Sequence, residues 1–178
     1  MIQKHGLVPA DRPRILALLE SLDAFTPDER AVAMELVDAA LNHPASDDYR
    51  FILSVSGEGA AEQLAGYLCY GRTPMTQSTY DLYWIGTSPA FARLGVARGL
   101  VGSLEATIAQ EGGGIIRVET GSREGHGAAV RFYDAVSFER AATIADFYAP
   151  GDDLIIFTKR VPFAKAPAAA AMDDAALY

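Results

Sequence analysis

Apolar residues recur with helical spacing along four stretches of the chain. The clearest stripe repeats every four residues over positions 96–108 and predicts a long amphipathic helix that ends near Gln110. A second stripe begins after Thr26, where Pro and then Glu follow with the spacing of a capping box. Two shorter helices are predicted, one that begins at residues 9–11 and one over residues 128–136.

Runs of β-branched and aromatic residues between turn residues predict strands. These runs lie at residues 2–8, 49–56, 63–70, 79–86, 115–120, 138–148 and 154–161. The second, third and fourth follow one another directly, which predicts an antiparallel meander. A helix separates the fourth from the fifth, so these two should be parallel. Pro150-Gly151 predicts a tight turn between the last two.

This order of elements predicts an α+β fold. We expect one domain over residues 1–162, with a mixed, mostly antiparallel sheet of six or seven strands and helices on both faces. An Ala-rich tail is expected over residues 163–178. A length of 178 residues, half of them hydrophobic, suits one domain with its own core.

Net charge and cysteine content limit the classes of binding partner and the compartment that we expect. The net charge of -8 argues against general nucleic-acid binding and against an anionic membrane surface, although a local basic pocket stays possible. Cys69 is the only cysteine, so no internal disulfide can form and a reducing, cytoplasmic setting is expected. The sequence shows neither a signal-peptide pattern nor an apolar run of about 18 residues, so no membrane span is expected.

The turn between the fourth strand and the long helix carries candidate chemistry. Such a turn directs several backbone N–H groups outward at the positive end of the helix dipole, which favours an anion such as phosphate. Gly95 permits close approach of a ligand, and Arg93 and Arg98 can pair with phosphate oxygens. A glycine and arginines at a helix start also occur in proteins that bind no phosphate, so the turn alone does not decide this.

Three segments together resemble the GNAT superfamily of N-acetyltransferases. Arg93-Leu-Gly-Val-Ala97 is similar to the superfamily's pyrophosphate-binding turn, although Ala92 stands where Gln or Arg is usual. Residues 129–138 are similar to the segment whose Tyr is often the general acid, with Ser137 in place of the usual Gly. The third is the hairpin over residues 146–160, which is like the closing hairpin of many members.

The resemblance implies an acetyl-CoA-dependent N-acetyltransferase that acts on a primary amine of a small molecule by direct attack. It also implies a sheet splayed at its centre, where the pantetheine arm lies. The implied cofactor-binding residues are Ile85, Thr87, Arg93, Leu94, Gly95, Val96, Ala97, Arg98, His126 and Tyr133. His126 stands where the superfamily often has Asn.

Tyr133 is the candidate general acid, because a phenol is protonated at neutral pH and can reach sulfur. Glu119 is the first candidate for the base, followed by Asp81 and His126. The ordinary alternatives stay open, namely that Tyr133 is a core aromatic residue and that both carboxylates simply pair with a nearby arginine. The expected acceptor contacts are Phe25, Asp81, Tyr83, Glu119 and Tyr148. An acidic rim favours a cationic amine.

A second interpretation is a non-catalytic acyl-CoA-binding or partner-binding module, motivated by the departures at Ala92, His126 and Ser137. No metal is expected, because a β-turn after Pro-Gly accounts for the acidic pair at residues 152–153. A homodimer is possible, with the strand at 154–161 as the edge that pairs across a two-fold axis.

Overall fold

The computed structural model describes residues 1–123 and 127–163. Its strands are β1 (Ile2–His5), β2 (Arg50–Ser56), β3 (Gln63–Arg72), β4 (Thr79–Thr87), β5 (Gly114–Gly121), β6 (Glu139–Ala149) and β7 (Asp152–Val161). Its helices are α1 (Asp11–Glu20), α2 (Pro27–Asn42), α3 (Val96–Gln110) and α4 (Gly127–Ala135). The predicted order of strands and helices is confirmed. Over the described part of the chain, every helix is too short or too polar to cross a bilayer.

One sheet contains all seven strands, in the order β1-β2-β3-β4-β5-β7-β6. Every neighbouring pair is antiparallel except β4 and β5, which are parallel, so the mixed and mostly antiparallel sheet is confirmed. The turn between β6 and β7 contains Gly151 at a φ of 80°, as a Pro-Gly turn requires.

The prediction that the strand at residues 154–161 lies at the edge of the sheet is wrong. This strand, β7, pairs with β5 along its length and with β6 on its other side, so β1 and β6 form the edges. Burial explains the choice: β7 carries Ile155 and Phe157, which enter the core, whereas every residue of β6 is exposed.

The sheet separates two apolar clusters. Helices α3 and α4 cover one face with residues such as Leu100, Leu104 and Tyr133. Helices α1 and α2 cover the other with residues such as Ile15 and Val37. The expectation of helices on both faces is therefore confirmed. We name the two sides of the sheet the α3/α4 side and the α1/α2 side.

The capping box predicted for α2 is present. Thr26 accepts a hydrogen bond from the backbone N–H of Glu29 through its side chain, and the Glu29 carboxylate accepts one from the backbone N–H of Thr26. These contacts satisfy donors at the helix start that have no partner within the helix. They also fix Glu29 in the first turn of α2, where its carboxylate forms an ion pair with Arg123.

Strands β4 and β5 separate at the centre of the sheet. They pair only from Thr79 to Asp81 on β4 and from Ile115 to Arg117 on β5. Beyond that point β4 continues to Thr87 and β5 to Gly121 without contact between them in the ladder. The splayed centre that the resemblance implied is thus confirmed, and we call the space between the strands the gap.

A bulge in β4 changes which residues face the α1/α2 side. The pairing with β3 shifts between Trp84 and Leu82, so Tyr83 is the extra residue. Both Tyr83 and Trp84 then pack against the α1/α2 cluster, although neighbours in a regular strand alternate between faces. The bulge therefore places two adjacent aromatic residues on one side of the gap.

Helix α4 ends on a residue with a left-handed backbone. Ser137 has a φ of 63°, and the N–H of Phe138 after it donates to the carbonyl of Tyr133 at 3.0 Å. This is the arrangement of a helix C-terminus that usually contains glycine. Ser137 therefore keeps the backbone conformation of the glycine that it replaces, at a steric cost from its Cβ.

We predict that Ser137→Gly raises the free energy of unfolding by about 0.5–1 kcal/mol. Removal of the Cβ relieves a left-handed residue, and the greater freedom of glycine in the unfolded chain offsets part of that gain. Urea denaturation measures the change. The control is Ser137→Ala, which keeps the Cβ and gains nothing; a Ser137→Gly variant less stable than the wild type contradicts the prediction.

Candidate functional site

The gap exposes backbone hydrogen-bonding groups on β4. The N–H of Ser88 donates to the carbonyl of Ala65 on β3 at 2.9 Å. Because alternate residues of a strand direct their N–H groups to the same side, those of Ile85 and Thr87 point away from β3. They point toward the gap, where β5 has already separated. An extended ligand in the gap can therefore bind the two groups.

The turn before α3 forms a concave group of backbone donors. Arg93 and Gly95 have φ angles of 63° and 77°, both left-handed. The first helical hydrogen bond runs from the N–H of Gly99 to the carbonyl of Gly95. Within the described residues, five N–H groups of the turn have no acceptor, those of Arg93, Gly95, Val96, Ala97 and Arg98. Such an arrangement at the positive end of a helix is an anion-binding site.

The space above the turn is open. A Cβ added at Gly95 meets no protein atom within 4 Å. Arg93, which is not glycine, pays a steric cost for its left-handed backbone, and strain of this kind is common at binding sites. The positive φ at two positions of one short turn aims successive N–H groups into the same space. The turn therefore has both the donors and the room for a diphosphate.

The side chains of the turn differ in what they can reach. Arg93 is exposed and forms no ion pair in the part of the chain that the structure describes. Arg98 donates to the carbonyl of Ala135 at 3.2 Å, so its guanidinium lies at the end of α4 while its backbone N–H stays in the turn. Leu94 is 64% exposed on the outer surface of the turn.

Tyr133 lies in a group of aromatic rings on the α3/α4 side. Its ring centre is 5.4 Å from those of Phe132 and Phe138 and 5.5 Å from that of Phe157. Burial raises the pKa of Tyr133, with no contribution from a hydrogen bond among the described residues. The hydroxyl is therefore protonated at neutral pH, and its proton is not committed to a described neighbour. The packing of the ring suits a structural residue of the core, and the uncommitted hydroxyl proton suits a general acid.

An ion pair closes the point where the two strands separate. Arg117 Nε donates to Asp81 Oδ1 at 2.6 Å, and these residues form the last pair of the β4–β5 ladder. Thr73 Oγ1 donates to the other oxygen, Asp81 Oδ2, at 2.8 Å. Asp81 is only 7% exposed. Both oxygens of Asp81 are thus engaged within the protein. This arrangement matches the alternative in which Asp81 pairs with a nearby arginine, rather than the expected contact with the substrate.

Glu119 lies on the same face of β5, two residues farther along, beside the gap. One of its oxygens is 3.3 Å from Nη1 of Arg117, and 41% of its side chain is exposed. Contact with Asp81, above all its hydrogen bond, raises the pKa of Arg117, which therefore carries its charge at any working pH. The carboxylate of Glu119 is accessible to a ligand, and that of Asp81 is not.

Aromatic residues line the α1/α2 side near the gap. Phe25 packs edge-on against Trp84 with ring centres 5.3 Å apart, and Tyr49 packs in the same way against Tyr83 at 5.5 Å. Burial chiefly, with help from the charge of Asp81, raises the pKa of Tyr83 to about 12. The expected acceptor contacts Phe25 and Tyr83 therefore lie on one side of the sheet, over the bulge of β4.

The pKa of Tyr148 responds to charges on three other elements. Tyr148 is 52% exposed, and burial of its hydroxyl raises its pKa. The negative charges of Glu119 on β5, Asp152 on β7 and Glu29 on α2 raise the pKa of Tyr148 further. Glu29 also forms an ion pair with Arg123 at 3.5 Å. This ion pair forms a strap between α2 and the loop after β5.

The acidic pair at the start of β7 holds the loop that follows β5. Asp152 Oδ1 accepts hydrogen bonds from the backbone N–H groups of Ser122 and Arg123 at 3.0 and 3.1 Å. The N–H of Asp153 donates to Ser122 Oγ at 2.7 Å. The carboxylate of Asp153 in turn accepts a hydrogen bond from the backbone N–H of Asp146 at 2.9 Å, so both aspartate side chains have a structural role. No cluster of three or more metal-ligating side chains occurs within residues 1–123 and 127–163.

Arg117 is the site residue that the sequence reasoning missed. The contact between Arg117 and Glu119 could have been predicted from the sequence, because residues two apart on a strand face the same side. The contact between Arg117 and Asp81 could not, since the register of β4 against β5 is not encoded locally. The expected contact from His126 and the predicted tail over residues 164–178 lie outside the described residues.

Comparison with known proteins agrees with this geometry. The model of the acetyltransferase (GNAT) family matches residues 16–138. A crystal structure of a GNAT-family protein from Desulfovibrio desulfuricans is 36% identical, covers 90% of this chain and 98% of its own, and has a TM-score of 0.83. No curated protein sequence gives a significant match.

Two more distant structures share the fold alone. An aminoglycoside 6'-N-acetyltransferase complexed with coenzyme A is 12% identical, covers 94% of this chain and 99% of its own, and has a TM-score of 0.67. The ribosomal-protein-S18-alanine N-acetyltransferase from Escherichia coli is 18% identical, covers 92% of this chain and 97% of its own, and has a TM-score of 0.68.

We predict that Asp152→Ala lowers the free energy of unfolding by about 2 kcal/mol, because two backbone donors lose a charged acceptor. Asp152→Asn, which keeps one acceptor oxygen without the charge, should lose less than half of that. Urea denaturation at neutral pH measures both changes. Equal stability of the wild type and Asp152→Ala contradicts the role assigned to this carboxylate.

Proposed function

Since the chain belongs to the GNAT acetyltransferase family, we propose that it transfers the acetyl group of acetyl-CoA to a primary amine of a small molecule. Members of this family use acetyl-CoA. The observation that carries the proposal is the turn before α3, where five unpaired N–H groups face open space beside the gap. A soluble diphosphate ester with a long extended arm fits such a turn and gap together.

The chain's own residues account for binding of the donor. The N–H groups of residues 93–98 bind the diphosphate, and Arg93 adds a free positive charge. The N–H groups of Ile85 and Thr87 bind the arm and the acetyl carbonyl in the gap. When bound, acetyl-CoA supplies an acetyl thioester that an amine can attack without a covalent enzyme intermediate. His126 adds a contact to the arm in this proposal.

Proton transfer in the proposed reaction uses two side chains. A lysine-like amine has a pKa of about 10.4, so it arrives as an ammonium ion and must lose a proton. The exposed carboxylate of Glu119 takes that proton, directly or through a water molecule. The amine nitrogen then bonds to the acetyl carbon, the carbon–sulfur bond breaks, and the sulfur takes the proton of the Tyr133 hydroxyl. The nitrogen gives up its second proton, which restores the Tyr133 hydroxyl through solvent, and Glu119 releases the first proton to water. The products are an amide and the free thiol of CoA.

The acceptor lies on the α1/α2 side in this proposal. Phe25, Tyr83 and Tyr148 offer ring surfaces, and Glu119 offers negative charge to a cationic amine. Asp81 belongs to the same face but acts through Arg117 rather than on the substrate, because both of its oxygens are engaged. A cationic small molecule with an accessible primary amine matches this surface better than an acidic small molecule does.

The remaining expectations about setting and partners are part of the same proposal. They are a cytoplasmic location, a small-molecule acceptor and no nucleic-acid or membrane partner. For a homodimer, free backbone groups are offered by the edge strands β1 and β6, of which β6 is the longer, since β7 is paired on both sides.

Calorimetric titration with acetyl-CoA, together with a panel of primary amines assayed for release of the CoA thiol, tests the function. We expect micromolar binding of acetyl-CoA, no binding of ATP, and thiol release with at least one cationic amine. Binding without release from any amine favours the non-catalytic acyl-CoA-binding module instead. Absence of acetyl-CoA binding contradicts both interpretations.

Gly95→Ala tests the turn itself. The new Cβ enters the open space that the ligand needs, at a residue with a φ of 77°, so we expect affinity for acetyl-CoA to fall about tenfold or more. Gly102→Ala is the matched control, because it also meets open space but lies inside α3. It should stabilise the helix by about 1 kcal/mol and leave the affinity unchanged. Equal affinities in the two variants contradict the assignment.

Tyr133→Phe tests the acid. We expect kcat to fall about 100-fold or more with KM for acetyl-CoA little changed, because the ring packing stays and only the proton is lost. Steady-state kinetics measure both. Tyr67→Phe is the control: Tyr67 is another buried tyrosine, on the opposite side of the sheet, whose hydroxyl has no hydrogen-bond partner among the described residues. An unchanged kcat in Tyr133→Phe refutes the acid role.

A further inference from the structure

We propose that Asp81 and Arg117 are positioning residues that orient the Glu119 carboxylate for its reaction with the amine. This inference rests on the proposed function, since it concerns how the base of that reaction is held. It assigns a role to Arg117, which no motif indicated, and it changes the role of Asp81 from a substrate contact to a support.

The position of the ion pair is the first argument. Asp81 and Arg117 are directly opposite each other at the last register before β4 and β5 separate. Beyond this pair both strands border the gap, and their side chains alternate between the two sides of the sheet. Glu119 is the next residue of β5 on the same face. The ion pair therefore stands at the base of the gap, with the candidate base directly above it.

The state of Asp81 is the second argument. Asp81 is 7% exposed, and each of its oxygens has a hydrogen-bond partner, from Arg117 and Thr73. If Arg117 left Asp81, a buried carboxylate oxygen would lose its partner, which is costly. The side chain of Arg117 is thus held in one direction, although it is 39% exposed and would otherwise be mobile.

The shape of the guanidinium group is the third argument. Its donors lie in one rigid plane, so a group held through Nε presents Nη1 in a defined direction. Nη1 is 3.3 Å from an oxygen of Glu119, and Arg117 is the only cation that contacts Glu119 within the described residues. The second oxygen of Glu119 stays available for the ammonium group. Without Arg117, a half-exposed glutamate samples many rotamers.

A double-mutant cycle of Arg117→Gln and Glu119→Gln tests the inference, with kcat and KM measured on the most active amine of the panel. We expect kcat to fall about 100-fold in Glu119→Gln and about tenfold in Arg117→Gln. The double variant should be no slower than Glu119→Gln alone, because Arg117 acts through Glu119. KM for acetyl-CoA should stay within about twofold in all three variants, since the turn is untouched.

Two further variants separate positioning from folding. Arg117→Lys keeps the charge but lacks the planar fork, so kcat should lie between those of the wild type and Arg117→Gln. Arg117→Gln combined with Asp81→Asn removes both charges from the base of the gap, so it keeps the fold even if the single variant does not. This pair should show the same kcat loss as Arg117→Gln, and the cycle with Glu119→Gln can be repeated on it.

Arg50→Gln is the matched control. Arg50 also links two elements through an ion pair, with Glu111 at the end of α3, but it lies away from the gap. It should lower stability and leave kcat unchanged. Losses in kcat that multiply in the Arg117→Gln and Glu119→Gln double variant overturn the positioning role, because they show that Arg117 acts independently. A wild-type protein that releases no thiol with any amine overturns the proposed function, and this inference with it.

Discussion

The separation of β4 and β5 is the constraint on which the candidate site depends. Two parallel strands that stop pairing in the middle of a sheet leave backbone groups without partners, and such groups are costly unless water or a ligand binds them. The ion pair between Asp81 and Arg117 closes the ladder at the point of separation. Above it the strands no longer pair, and in the proposed reaction the donor and the acceptor reach the gap from opposite faces of the sheet.

The α3/α4 side suits the anionic, extended donor that we propose. The left-handed backbone at Arg93 and Gly95 aims N–H groups into open space, and the start of α3 adds the positive end of its dipole. Helix α4 places Tyr133 among three other rings, which fix the position of its ring. Burial raises the pKa of its hydroxyl, which stays protonated. Ser137 preserves the left-handed end of that helix where glycine is usual, so the substitution changes stability more than geometry.

The α1/α2 side has a different chemistry, because its functional groups are carboxylates and aromatic rings. The bulge of β4 turns Tyr83 and Trp84 to this side together, and Tyr148 approaches from β6 among the carboxylates of three other elements. Glu119 is accessible here, whereas the carboxylate of Asp81 below it is engaged by Arg117. The contrast between a basic, donor-rich turn on one side and an acidic, aromatic surface on the other supports our proposal of transfer to a cationic amine.

The sequence alone determined the elements and several of their ends, since helical periodicity, the Thr26 capping box and the Pro-Gly turn depend on residues a few positions apart. The first strand, expected over residues 2–8, ends at His5. The sequence also located the turn before α3, which is local in the same sense. Only the tertiary structure decided that β7 lies inside the sheet, that Tyr83 is bulged, and that Asp81 meets Arg117 across 36 residues of sequence. These facts depend on strand order and register, which are set by burial and pairing between distant segments and leave no periodic trace in the chain.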